Sequence, residues 1–136
     1  MTKLPADIAA MWARDNAAHA LGLELLSVGP DTARLGLTVA AQHLNSHAIC
    51  HGGVLFTLAD STFAYAANAD ISGAVAQANN ITYLAPAKPG DRLTAEAQLT
   101  TRAGRSAIYD VAIRTADGTI IALLRTQARF VTTPNR

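Results

Sequence analysis

Apolar and polar residues alternate with a period of two over three long stretches in the second half of the chain. Leu93, Ala95, Ala97 and Leu99 alternate with Thr94, Glu96, Gln98 and Thr100. Tyr109, Val111 and Ile113 alternate with Ile108, Asp110, Ala112 and Arg114, and Ala122, Leu124, Thr126, Ala128 and Phe130 form one face of a last run. A strand turns successive side chains to opposite faces, so this period predicts three half-buried strands. Gly90-Asp91, Ala103-Gly104 and Asp117-Gly118 lie between the runs and have the chemistry of hairpin turns. The expected arrangement is an antiparallel meander, preceded by a further strand around Ala74 to Leu84 that ends at Pro86.

The first half reads differently. From Pro5 to His19, Ile8, Met11, Trp12 and Ala18 fall near helical spacing, with Pro5 at a first helical position and Gly22 as the stop. The period changes at Leu23, and Leu35, Leu37 and Val39 alternate with Arg34, Gly36 and Thr38 after a Gly29-Pro30-Asp31 turn. Gly52 to Ala69 is apolar on nearly every side, through Val54, Leu55, Phe56, Leu58, Phe63, Tyr65 and several alanines. A helix that is apolar all round is a buried helix. One buried helix and about six antiparallel strands pack economically only if the sheet curls around the helix. The expected class is α+β, with a short extra helix at the N-terminus.

Composition narrows the function. The 136 residues suit a single domain spanning residues 1–136, and 29 alanines imply a core of small side chains. Charged residues are 15% of the chain and the net charge is +1, so nothing marks a nucleic-acid binder. Low charge with many small residues points to surface buried against another chain. The lone Cys50 excludes an internal disulfide framework and suits a reducing compartment. Asp7, Arg14 and Asp15 interrupt the one candidate leader, and no apolar run reaches the ~18 residues of a membrane span. The expectation is a cytoplasmic protein that binds no membrane.

Between Arg34 and Lys88 the only charged residues are Asp60 and Asp70. Asp70 falls at the expected helix end, where a solvated carboxylate is ordinary. Asp60 falls in the middle of the most apolar helix, where an unpaired carboxylate is costly. Either it makes a structural hydrogen bond to a backbone group or Ser61, or it is a base or nucleophile in a dry cleft. Just before the helix stands Asn45-Ser-His-Ala-Ile-Cys-His51-Gly52-Gly53. The first N–H groups of a helix lack internal acceptors, so a Gly-Gly start is either an oxyanion site or simply a tight entry turn. His43, His47 and His51 recur every four residues, but Asn45-Ser46 argues for a loop, and no metal is expected. Cys50 beside His51 reads as a small buried residue rather than a nucleophile. Lys88, Arg102 and Arg105 flank turns, where charges usually serve only solvation; a phosphate contact is the alternative.

The string Asn45-x5-His51-Gly52-Gly53-x-Leu55-Phe56-x-Leu58-Ala59-Asp60 closely resembles the signature of hotdog-fold acyl-CoA thioesterases of the phenylacetic-acid-degradation (PaaI-type) family. Leu21-Gly22, Tyr83-Leu84-x-Pro86, Gly90-Asp91, Gly104-Arg105 and Tyr109-Asp110-Val111 extend the resemblance over roughly residues 10 to 130. It implies a long helix wrapped by a curved antiparallel sheet, dimers joined through their sheets, and often a dimer of dimers. It also implies hydrolysis of aryl-acetyl-CoA thioesters, such as phenylacetyl-CoA or its hydroxylated derivatives, without metal or cofactor. The matched residues are Asp60 as base or nucleophile, the Gly52 N–H as oxyanion donor, and Asn45 and His51 as polar groups on the substrate side. Gly53, Phe56, Ser61, Arg102 and Arg105 complete the candidate substrate-binding set, with Ser61 orienting water and the arginines meeting the CoA phosphates. Ser61 stands where threonine is expected, and Ala69-Asp70-Ile71 departs from the usual Ser/Gly-rich exit. An acyl-CoA hydratase or dehydratase on this fold would use His51 and Asp60 as proton shuttles, and a non-catalytic acyl-CoA-binding module is a third reading.

Helix geometry adds one expectation. Gly52 and Asp60 are eight residues apart, so their backbones lie about 12 Å apart along one axis. A donor and an attacking group must converge within about 3 Å of one reacting centre. If both are catalytic, each site takes Gly52 from one chain and Asp60 from another, and a two-fold homodimer has two such sites.

Overall fold

A computed structural model describes residues 4–69 and 73–131. Asp70 and Ile71, part of the expected helix exit, lie outside the described residues. The element order is α1 (Ala6–Ala13), α2 (Asn16–Leu21), β1 (Glu24–Gly29), β2 (Thr32–Thr38), α3 (Gly52–Ala67), β3 (Ala74–Tyr83), β4 (Arg92–Ala103), β5 (Ser106–Thr115) and β6 (Ile120–Phe130). A short 3₁₀ turn at Ala41–His43 precedes the loop into α3.

The six strands form one antiparallel sheet in the order β1-β2-β4-β5-β6-β3. Residues predicted to face inward do so: Leu93, Ala95 and Ala97 on β4, Tyr109, Val111 and Ile113 on β5, and Ala122, Leu124, Thr126, Ala128 and Phe130 on β6 are all buried. Helix α3 contacts every strand of the sheet. Six strands spaced about 4.8 Å apart span about twice a helix diameter, so a flat sheet could not achieve this. The sheet curls around α3, and the alanines beneath the helix let backbone approach backbone.

Three expectations need correction. The N-terminal helix is two helices, because the Asp15 side chain accepts the Ala18 N–H at 3.2 Å and caps a new start. Gly22, in the left-handed region at φ 76°, ends the second as expected. The meander holds for β4-β5-β6 only: β3 pairs with β6, so Gly90-Asp91 is no hairpin but the end of a crossover to β4. Finally, α3 is not covered all round. Leu55, Leu58, Ala59, Thr62 and Phe63 are buried, while Phe56, Thr57, Asp60, Ser61 and Ala64 form a half-buried stripe.

Candidate active site

The loop before α3 is tied by its asparagine. Asn45 Oδ1 accepts the N–H groups of His47 at 2.9 Å and Ile49 at 3.4 Å, and the Asn45 N–H donates to the Ile49 carbonyl at 2.8 Å. Cys50 and His51 are then anchored through their N–H groups to the carbonyls of Ala87 and His43. This fixes how the chain enters the helix.

At that entry the helix donors divide unequally. His51 is the N-cap, and its Nδ1 accepts the Gly53 N–H at 2.8 Å. The His51 carbonyl accepts the N–H groups of Val54 and Leu55. Among the described residues no acceptor meets the Gly52 N–H. Of the two glycines, therefore, Gly52 alone keeps a free donor at the positive end of the dipole, and Gly53 is spent on the cap. With Nδ1 accepting, His51 carries its ring proton on Nε2 and presents a donor outward.

Gly52 and Asn45 line a cleft of about 400 Å³ with Ile49, Leu55, Tyr83 and Leu84. Tyr83 Oη donates to the Gly52 carbonyl at 3.0 Å, and its ring would lie 3.2 Å from a side-chain carbon at position 52. Glycine there eases the close approach of the Tyr83 ring; no unusual φ demands it.

Asp60 sits roughly two turns further along α3, half-buried. Burial pushes its carboxyl pKa up, and the nearby Asn79 side-chain amide works in the opposite sense. Phe56 and Ser61 share its half-buried stripe. Within one chain the helix keeps Asp60 about 12 Å along its axis from Gly52, so the structure does not bring the pair together.

The remaining candidates lie elsewhere. His43 is buried with Nδ1 accepting from the Ala40 N–H and Nε2 against the Leu21 carbonyl, while His47 is exposed, so the histidine series does not converge. Burial pushes the Cys50 thiol up to about 11. Arg102 is drawn to Asp31, 3.8 Å away, and Asp31 also accepts from Tyr109 Oη at 2.6 Å. Arg105 is exposed in the β4-β5 hairpin. The strand register puts Ser106 of this hairpin level with Val75, eight residues or about 26 Å from Tyr83 and the Gly52 cleft. Tyr83 and Asn79 join the site from β3; the sequence motif contained Tyr83 without a role, and nothing in it named Asn79. The adjacent Asn79-Asn80 in an otherwise alanine-rich strand was the available signal.

A helix wrapped by a curled sheet thus carries a free N–H at its start and a half-buried carboxylate at its middle. Residues 47–122 match the model of the thioesterase superfamily. The chain belongs to that superfamily, has its hotdog fold, and is a thioester hydrolase. It is 43% identical over 116 residues to the acyl-coenzyme A thioesterase PaaI of Escherichia coli, covering 85% of this chain and 83% of that protein. The solved structure of the E. coli PaaI protein, from the phenylacetic acid degradation operon, superimposes with a TM-score of 0.88 and covers 92% of this chain and 91% of its own. A mutant of the phenylacetic acid degradation protein PaaI from Thermus thermophilus gives 0.82 at 35% identity, covering 86% and 100%.

Proposed function

We propose that this chain, as a single hotdog domain over residues 1–136, hydrolyses aryl-acetyl-CoA thioesters to the free acid and CoA. The free Gly52 N–H at the mouth of an apolar cleft carries the reading. Such a donor stabilises the oxyanion formed when the thioester carbonyl is attacked, typically worth about 10²–10³ in rate. Asp60 attacks directly or activates water, with Ser61 beside it to orient that water. Asn45 and His51 offer polar groups to the substrate, and no metal or cofactor is required by these steps.

The site is shared between two copies. Strand β3 is a sheet edge of ten residues with no charge and no proline, and eight of the ten are exposed. Edges left open in this way are usually blunted by charge or proline unless another strand covers them. Antiparallel pairing of β3 with its copy continues the sheet and lays the two α3 helices side by side. Gly52 of one chain then approaches Asp60 of the other, and the half-buried stripe of α3 is covered. The dimers pair again into a tetramer, as the family resemblance implies, and one unpaired cysteine suits the cytoplasm. Among the described residues no helix is long and apolar enough to cross a membrane.

Thiol release from a panel of CoA thioesters tests the activity. A coloured disulfide reagent at pH 8 should report CoA from phenylacetyl-CoA and its hydroxylated derivatives well above short alkyl thioesters. Cys50 should stay silent, because it is buried and that burial pushes its thiol up to about 11. Aryl-acetyl thioesters turned over no faster than acetyl-CoA would remove the substrate assignment.

The two arginines should separate. Arg102→Ala should lower Tm by about 3–5 °C per kcal/mol lost, with KM unchanged, because it breaks the contact to Asp31. Arg105→Ala should leave Tm alone and raise KM severalfold at low salt, the effect shrinking as salt screens the phosphates. A raised KM in Arg102→Ala would return that residue to the CoA site.

A further inference from the structure

The inner face of β3 runs antiparallel beside α3, and two contacts set their alignment. At one end Tyr83 Oη donates to the Gly52 carbonyl. At the other, the Ala74 N–H donates to Asn68 Oδ1 at 3.2 Å. Asp60 is midway between Gly52 and Asn68, and Asn79 is within one residue of midway between Tyr83 and Ala74. Residues directly opposite in an antiparallel ladder share a face, and Asn79 stands opposite the buried Thr126. Asn79, exposed in the single chain because β3 is the open sheet edge, thus lies on the helix side of β3 at the height of Asp60. Its neighbour Asn80 stands opposite the exposed Arg125 and faces away.

We propose that Asn79 is the positioning residue for Asp60: from the helix side of β3 its side-chain amide holds one carboxylate oxygen and leaves the other turned to the reacting centre. The inference rests on Asp60 being the base or nucleophile. A carboxylate held at one oxygen loses rotational freedom that would otherwise spread its attack direction. The same N–H favours the anion, against the burial that disfavours it.

Within one chain, among the described residues, no other charge faces Asp60; in the shared site the partner's His51 enters beside its Gly52. β3 contains no Asp, Glu, Lys or Arg. The inward residues of β1, β2, β4 and β6 are uncharged, and β5 adds only Tyr109, whose hydroxyl donates to Asp31. On α3, Tyr65 donates to Asp15 at the α2 cap, with His19 in α2 beyond it, and His51 lies nine residues away at the N-terminus. Tyr83 is bonded to Gly52.

The test is the pH profile of kcat and KM for phenylacetyl-CoA in Asn79→Ala, the isosteric Asn79→Asp, and Asn80→Ala, each checked for its melting transition. Asn79→Ala should lose about tenfold in kcat, the worth of one hydrogen bond to a charged group, with KM within about twofold. The acid limb should move to higher pH in Asn79→Ala and further in Asn79→Asp, where a second carboxylate repels the first. Asn80→Ala should match the wild type. A purely structural residue would lower Tm without moving the limb. Wild-type kcat and limb in both Asn79 variants, or an equal loss in Asn80→Ala, overturns the proposal. If Asp60→Asn is inactive in the same assay, only the role of Asn79 falls; if Asp60→Asn is active, the base assignment falls with it.

Discussion

Asp60→Asn should fold normally and lose about 10²-fold or more in kcat, since it removes the group that attacks or activates water. Asparagine keeps the shape and cannot carry the charge, so KM should change far less than kcat. The same substitution should raise Tm at neutral pH. Burial raises the Asp60 pKa in the folded chain, which means the ionised carboxylate opposes folding. That penalty is present above the raised folded value and disappears below the ordinary carboxylate range, where both states are protonated. The gain in Tm from Asp60→Asn should therefore be largest near pH 7 and vanish in acid. Activity of the wild type should fall on the acid side at a higher pH than an ordinary aspartate would give. Thermal melts of both proteins across pH, alongside steady-state rates, check all of this. Near-wild-type turnover in a folded Asp60→Asn protein would end the catalytic role.

The isolation of Asp60 was legible because a carboxylate in an apolar helix stands out against its neighbours. The strands were legible for the same reason: Leu93 through Ala97 and Ala122 through Phe130 bury every second residue, and period two survives any neighbour order. Which strands pair was not legible, since alternation carries no information about partners. Hence β3 was read as leading into β4, when its ladder runs with β6. The break between α1 and α2 turns on Asp15, whose other oxygen accepts from Tyr65, fifty positions away. Choosing between Gly52 and Gly53 depended on where one imidazole nitrogen points. From sequence Arg102 reads as a turn charge or a phosphate contact, because Asp31, its partner, is remote in sequence.

The central claim is that each active site takes Gly52 from one chain and Asp60 from its partner, and complementation between two inactive variants tests it most directly. One variant is Asp60→Asn. The other is Gly52→Pro, which deletes the proposed donor itself. Proline is tolerated at a first helical position, and His51, at φ −61° and ψ 137°, already has the extended backbone a following proline requires. The Tyr83 ring must give by a few tenths of an ångström, because a carbon at that position would lie 3.2 Å from it. The two variants, carrying different tags, are mixed in equal amounts, unfolded and refolded together, and subunit exchange is verified by capture through each tag. In a mixed dimer with shared sites, both lesions fall in one pocket and the other pocket is whole. Random pairing makes half the dimers mixed, each with one good site, so activity should recover to roughly a quarter of wild type. No recovery above the separate variants, in mixtures shown to be folded and exchanged, would contradict the shared site.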